Sequence, residues 1–104
     1  MSNANFVTNV EPLSMPGLAR QLTATTASSN TALSSGIFRI SMRAKGCDIR
    51  YAVGNGTQTA NASTSHLIAN GERLDIAVPP AANIAVIRET GASVDGTLEL
   101  SELT

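Results

Sequence analysis

Aromatic side chains are nearly missing from this 104-residue sequence: Phe6, Phe38 and Tyr51 are the whole set, and there is no Trp. Aromatic residues bring the largest buried area per side chain, so a core here has to be assembled from Ala, Val, Ile, Leu and Met. One domain fits this length, and a core so poor in aromatics suggests that stability comes partly from association. Charge is scarce as well, at 14% of residues where about 25% is ordinary. Seven Lys and Arg against eight Asp and Glu give a net charge of -1, which excludes a global basic field for nucleic acid or for an anionic membrane. Cys47 is the only cysteine, so an intrachain disulfide and a Cys-type zinc site are both excluded. Its alternation with Ile49, Tyr51 and Val53 reads as a small buried hydrophobe rather than a reactive thiol. No apolar run of roughly 7–15 residues follows a basic start, and none reaches about 18 residues, so the expectation is a protein made and kept in a cytosol, without a membrane partner.

Catalytic patterns are equally sparse. There is no nucleophile elbow, no phosphate-binding Gly-Lys-Ser/Thr loop, no paired-histidine motif and no calcium loop. The one histidine, His66, would have to serve any Ser/His/Asp or Cys/His site, with Cys47 or a serine and with Asp48 or Asp75. A lone histidine at the head of a short strand is a rim residue far more often than a catalyst. Glu99 and Glu102 stand three apart on a strand, so they point to opposite faces and cannot act as a carboxylate pair. The reading is a protein that is not an enzyme, with no cofactor and no metal. The sequons at Asn55 and Asn61 are what chance supplies in a chain holding eight Asn and 22 Ser and Thr.

What is present is a series of short strand signals. Residues 1–17 hold Pro12, Pro16 and Gly17 among aperiodic apolar residues, Phe6, Val7, Val10, Leu13 and Met15, which reads as an extended arm whose side chains need a neighbouring surface. Leu18 to Leu22 is a helical turn or a short strand, and the Thr-rich stretch 23–35 is an edge strand or a linker. From Gly36 the alternation is clear: Phe38, Ile40, Met42 and Ala44 inward, Arg39, Ser41 and Arg43 outward. After a Lys45-Gly46 turn, Ile49, Tyr51 and Val53 face inward until Gly54-Asn55-Gly56 breaks the strand. An uncharged loop, 57–65, precedes a short strand at 66–69, and Asn70-Gly71 is a hairpin signal because both residues tolerate positive φ. Leu74, Ile76 and Val78 alternate with Arg73, Asp75 and Ala77 up to Pro79-Pro80, which removes two ladder donors. Ile84 to Ile87 is apolar on both faces and belongs in the middle of a sheet or against a partner. Leu98 and Leu100 face inward in the last strand, Thr97 to Leu103. Short strands at this spacing predict an all-β antiparallel sandwich, of jelly-roll or immunoglobulin-like topology. The expected division is an arm over 1–35, containing a possible first strand, and a sandwich domain over 36–104.

Charge is distributed unevenly along these strands. Arg39, Arg43, Lys45 and Arg50 crowd the outward positions of two consecutive strands, while Glu89, Asp95, Glu99 and Glu102 lie in the last sixteen residues. Beyond two plain solvated faces, this predicts a basic face meeting an acidic surface on a second copy or a larger partner. The candidate interface is therefore Phe6, Val7, Val10, Leu13 and Met15 of the arm with Arg39, Arg43, Lys45, Arg50, Glu99 and Glu102. Nucleic acid is disfavoured, because the patch is small and lacks aromatics for base stacking.

The phrases Ile49 to Gly54, Ser65 to Gly71, Leu74 to Pro79, Ile84 to Arg88 and Gly96 to Leu103, taken in order, resemble small β-sandwich virion proteins of tailed bacteriophages over residues 36–104. That resemblance implies a virion structural protein assembled in the bacterial cytoplasm. It would be a capsid decoration or cement protein, usually a homotrimer, bound to the major capsid protein. The alternative it carries is a head-fibre, neck or tail-associated module that binds a receptor or glycan.

Overall fold

The computed structural model describes residues 15–104. They form eight strands, β1 (Pro16–Ala24), β2 (Ser29–Ala32), β3 (Arg39–Lys45), β4 (Ile49–Asn55), β5 (His66–Ile68), β6 (Arg73–Ala77), β7 (Ala82–Arg88) and β8 (Gly96–Leu103), with no helix among the described residues. Two four-stranded antiparallel sheets result, ordered β1-β8-β3-β6 (sheet A) and β2-β7-β4-β5 (sheet B). The pairing is nested: β1 meets β8, β2 meets β7, β3 meets β6 and β4 meets β5, while β3–β8 and β4–β7 join the halves. The arrangement is compatible with a β-sandwich, since the inner faces of both sheets share one hydrophobic core.

That core follows from period-2 alternation. In β3 Ile40, Met42 and Ala44 are buried between exposed Arg39, Arg43 and Lys45, and in β8 Leu98 and Leu100 alternate with half-buried Thr97, Glu99 and Ser101. Sheet B contributes Ile49, Tyr51, Ile68, Ile84 and Val86. Each fully buried aliphatic side chain contributes about 1.5–3 kcal/mol by leaving water, so a contiguous core exists within one chain, with Tyr51 as its single aromatic among the described residues.

Three expectations need correction. The boundary at residue 36 falls inside the sheets, because β1 and β2 are edge strands and Leu22, Ala24 and Leu33 join the core; the Thr-rich composition of 23–35 hid strands that bury few residues each. Phe38 is 59% exposed and Ile37 is buried instead, since β3 begins only at Arg39 after the positive-φ turn at Gly36. Asn70-Gly71 is not a hairpin: β5 and β6 lie in different sheets. That turn crosses between sheets beside the β3–β4 turn. Gly46 N–H donates to Asn70 Oδ1, Gly71 N–H to the Ala44 carbonyl, and Asn70 N–H to Asp48 Oδ1. Phe6, Val7, Val10 and Leu13 lie outside the described residues.

The two sheets differ on their outer faces. Residues 56–65 fold over sheet B, burying Ala60 with Ala85 and Ile87 and packing Ala52 and Ala62 against them. The loop is fastened along its length: Gln58 N–H donates to Asn30 Oδ1, Ala60 N–H to Ser28 Oγ, Thr90 N–H to the Ala62 carbonyl and the Arg50 guanidinium to the Ser65 carbonyl. This cover explains why β7 is apolar on both faces.

Candidate functional site

On sheet A, in contrast, no described loop covers the outer face. Reading across it from β6 to β1, Arg73, Arg43, Glu99 and Gln21 stand in one cross-strand row. Asp75, Ser41, Ser101 and Ala19 form the next. Lys45, Thr97 and Thr23 flank the first row on the side of the β3–β4 turn. A concavity of about 410 Å³ lies over these rows, lined by Gln21, Ser41, Arg43, Lys45, Arg73, Glu99 and Ser101 among others. Arg43 and Arg73 oppose each other directly across β3 and β6, where like charges destabilise a pair. Arg43, Lys45, Arg73 and Glu99 form no ion pair among the described residues.

The basic candidates do not form one patch. β3 is in sheet A and β4 in sheet B, so Arg39, Arg43 and Lys45 face one side of the molecule and Arg50 the other. Arg50 is internal in role: besides holding Ser65, it lies 3.5 Å from the Glu89 carboxylate. Strands consecutive in sequence need not be neighbours in space, and here β3 and β4 are separated by a crossover between sheets.

The acidic segment is consumed within the chain. Glu89 pairs with Arg50, and Asp95 with Arg88 at 2.7 Å. Glu102, expected at an interface, is 1% exposed and shares the inward parity of Leu98 and Leu100. Its Oε2 accepts from Arg20 Nε at 3.0 Å and from the Ser34 backbone N–H at 2.9 Å. Burial raises its carboxyl pKa, but the Ser34 hydrogen bonds and the Arg20 guanidinium outweigh that and hold the group below its ordinary value. Glu102 thus ties β8 to β1 and to the β2–β3 connection. Only Glu99 of that segment remains on the open face.

Met15 is exposed, its backbone paired in both directions with Thr104. Exposed Leu18 follows in an irregular stretch of β1 between Pro16 and Ala19. Phe38 accepts the Val78 N–H at the same end of sheet A. His66 is exposed, its ring 5.5 Å from that of Tyr51, the residue opposite it. Cys47 is buried, and burial pushes its thiol pKa up. Arg73, Gln21 and Ser101 were not singled out in the sequence; the outward parity of Arg73 was visible, but its place beside Arg43 depends on a pairing between strands thirty residues apart. No protein-family model matches the chain, and neither a curated protein nor a solved structure matches it.

Proposed function

We propose that the chain is a non-enzymatic structural protein of a bacteriophage virion, a jelly-roll module of the decoration or cement class that joins copies of itself and the major capsid protein. Two sheets ordered 1-8-3-6 and 2-7-4-5 from eight strands support a jelly roll rather than an immunoglobulin-like sandwich, because a jelly roll is one long antiparallel hairpin rolled up in this nested order. The carrying observation is the apolar end of sheet A. Met15, Leu18 and Phe38 are exposed there, at 68%, 50% and 59%, where the segment holding Phe6, Val7, Val10 and Leu13 joins β1. Large exposed apolar side chains gathered at one place mark an association surface, and the occupant proposed is a second copy. The charge pairing within the chain shifts the self-interface from the basic and acidic segments to this end.

The test is mass by light scattering on the full chain, on a chain lacking residues 1–14, and on a Met15→Ser, Leu18→Ser, Phe38→Ser variant. A defined oligomer for the first and monomers for the other two are expected. A monomeric full chain that also fails to bind undecorated capsid shells overturns the reading.

A further inference from the structure

We infer that the concave outer face of sheet A is a binding site for an acidic saccharide, a sugar bearing a carboxylate. The site is separate from the apolar end of the same sheet and does not depend on assembly.

Among the described residues the face leaves basic charge without an ion-pair partner. Arg43 and Arg73 sit opposite each other in register, with Lys45 two residues along β3. Among the described residues Glu99 is the only carboxylate lining the concavity, Asp75 stands in the neighbouring row, and neither makes an ion pair with them. Three arginines elsewhere in the described chain are each matched to an acid: Arg20 to Glu102, Arg50 to Glu89 and Arg88 to Asp95. Two guanidinium forks side by side are suited to one planar oxyanion held by parallel N–H···O bonds. An anion placed between them also removes the cross-strand repulsion, so the protein gains from binding as well as the ligand.

The rest of the lining selects among anions. Ser41, Ser101 and Gln21 present hydroxyls and an amide around the basic pair, groups that both donate and accept and therefore suit sugar hydroxyls. The volume of about 410 Å³ is within the range of small-molecule sites and takes one or two sugar rings. Glu99, opposite Arg43 on the neighbouring strand β8, accepts from a hydroxyl but repels a densely charged polyanion, which turns the site away from nucleic acid. A second copy of the chain is a poorer occupant, because Glu89, Asp95 and Glu102 are already paired internally.

The experiment titrates the isotope-labelled full chain with glucuronate, with glucose and with acetate, following backbone amide resonances. Glucuronate is expected to shift Ser41, Arg43, Arg73, Glu99 and Ser101 saturably, in the millimolar range. Glucose should leave them unmoved, and acetate should bind at least about tenfold more weakly, the loss of roughly 1.4 kcal/mol of hydroxyl contacts. Arg43→Gln and Arg73→Gln should each weaken glucuronate at least about tenfold while unfolding midpoints stay at or above the parent value, since each removes a like-charge contact. Absence of saturable shifts, equal binding of acetate and glucuronate, or undiminished binding by the Arg43→Gln, Arg73→Gln double variant each overturns the proposal. Light scattering on the same double variant separates this site from the assembly reading, because its oligomeric state is expected to match that of the parent.

Discussion

Replacing Glu102 tests how far one inward carboxylate organises the sandwich. Its Oε2 receives both Arg20 Nε and the Ser34 backbone N–H, at 3.0 and 2.9 Å, in a position that is 1% exposed. A hydrogen bond to a charged partner contributes about 1.5–3 kcal/mol, and that range applies to the Ser34 N–H. The Arg20 side chain keeps 22% exposure, so water can take over part of its hydration and the ion pair adds only about 1 kcal/mol after screening. Glu102→Ala should therefore lose about 2.5–4 kcal/mol in urea unfolding at neutral pH. The folded carboxyl titrates below its unfolded value, so its stabilisation is complete above the unfolded pKa and disappears as pH falls through the folded one. Glu102→Gln keeps the shape without the charge; the stability gap between parent and this variant should be present at pH 7 and narrow steadily as the pH is lowered below the ordinary carboxylate value. A Glu102→Ala loss under about 0.5 kcal/mol, the level of an ordinary surface substitution, or a gap that is constant with pH, refutes the reasoning.

Other substitutions probe the turns and the loop. At Gly96 an added Cβ would stand 2.7 Å from Cys47 Sγ and 2.9 Å from the Lys45 carbonyl oxygen, so Gly96→Ala should cost about 1–3 kcal/mol in thermal unfolding. Adding Cys47→Ala should not restore it, because the Lys45 contact is backbone. Ala81 follows Pro79-Pro80 with φ at 55°, a conformation costing about 1–2 kcal/mol for an L-residue; Ala81→Gly should leave stability equal or raise it by up to about 1 kcal/mol, measured by denaturant midpoint. Asn30 accepts the Gln58 N–H and donates to Asn83 Oδ1, so Asn30→Ala should cost about 1 kcal/mol and accelerate amide exchange at Gln58 and Ala60.

Strand positions after residue 36 were legible because alternation is a local property: Ile40, Met42, Ile49, Leu98 and Leu100 are buried where their parity put them. Parity also assigned Glu102 to the inner face, yet its charge argued for the surface. Only the tertiary meeting with Arg20 and the Ser34 N–H makes an inward carboxylate tolerable. The basic site was half visible. Arg43 and Lys45 stood out as an outward cluster, but Arg50 was grouped with them by sequence proximity and Arg73 was not, because strand order is a long-range outcome that no window of residues contains. The edge strands β1 and β2 were obscured for another reason: a strand such as Ser29–Ala32 that buries little carries almost no hydrophobic period. The double-sided apolar run at 84–87 did announce a covered sheet face, and the cover proved to be the uncharged loop of the chain itself.

The two outer faces differ: that of sheet B is closed by residues 56–65, and that of sheet A is left uncovered by the described residues. Thiol labelling measures this difference directly in a Cys47→Ser background carrying one new cysteine, at Ser41 on sheet A or at Ala85 beneath the loop. Ser41→Cys should react at the rate of a solvent-exposed thiol, and Ala85→Cys at least about 100-fold more slowly, since its exposure requires local opening of the loop. Comparable rates at the two positions would contradict the account.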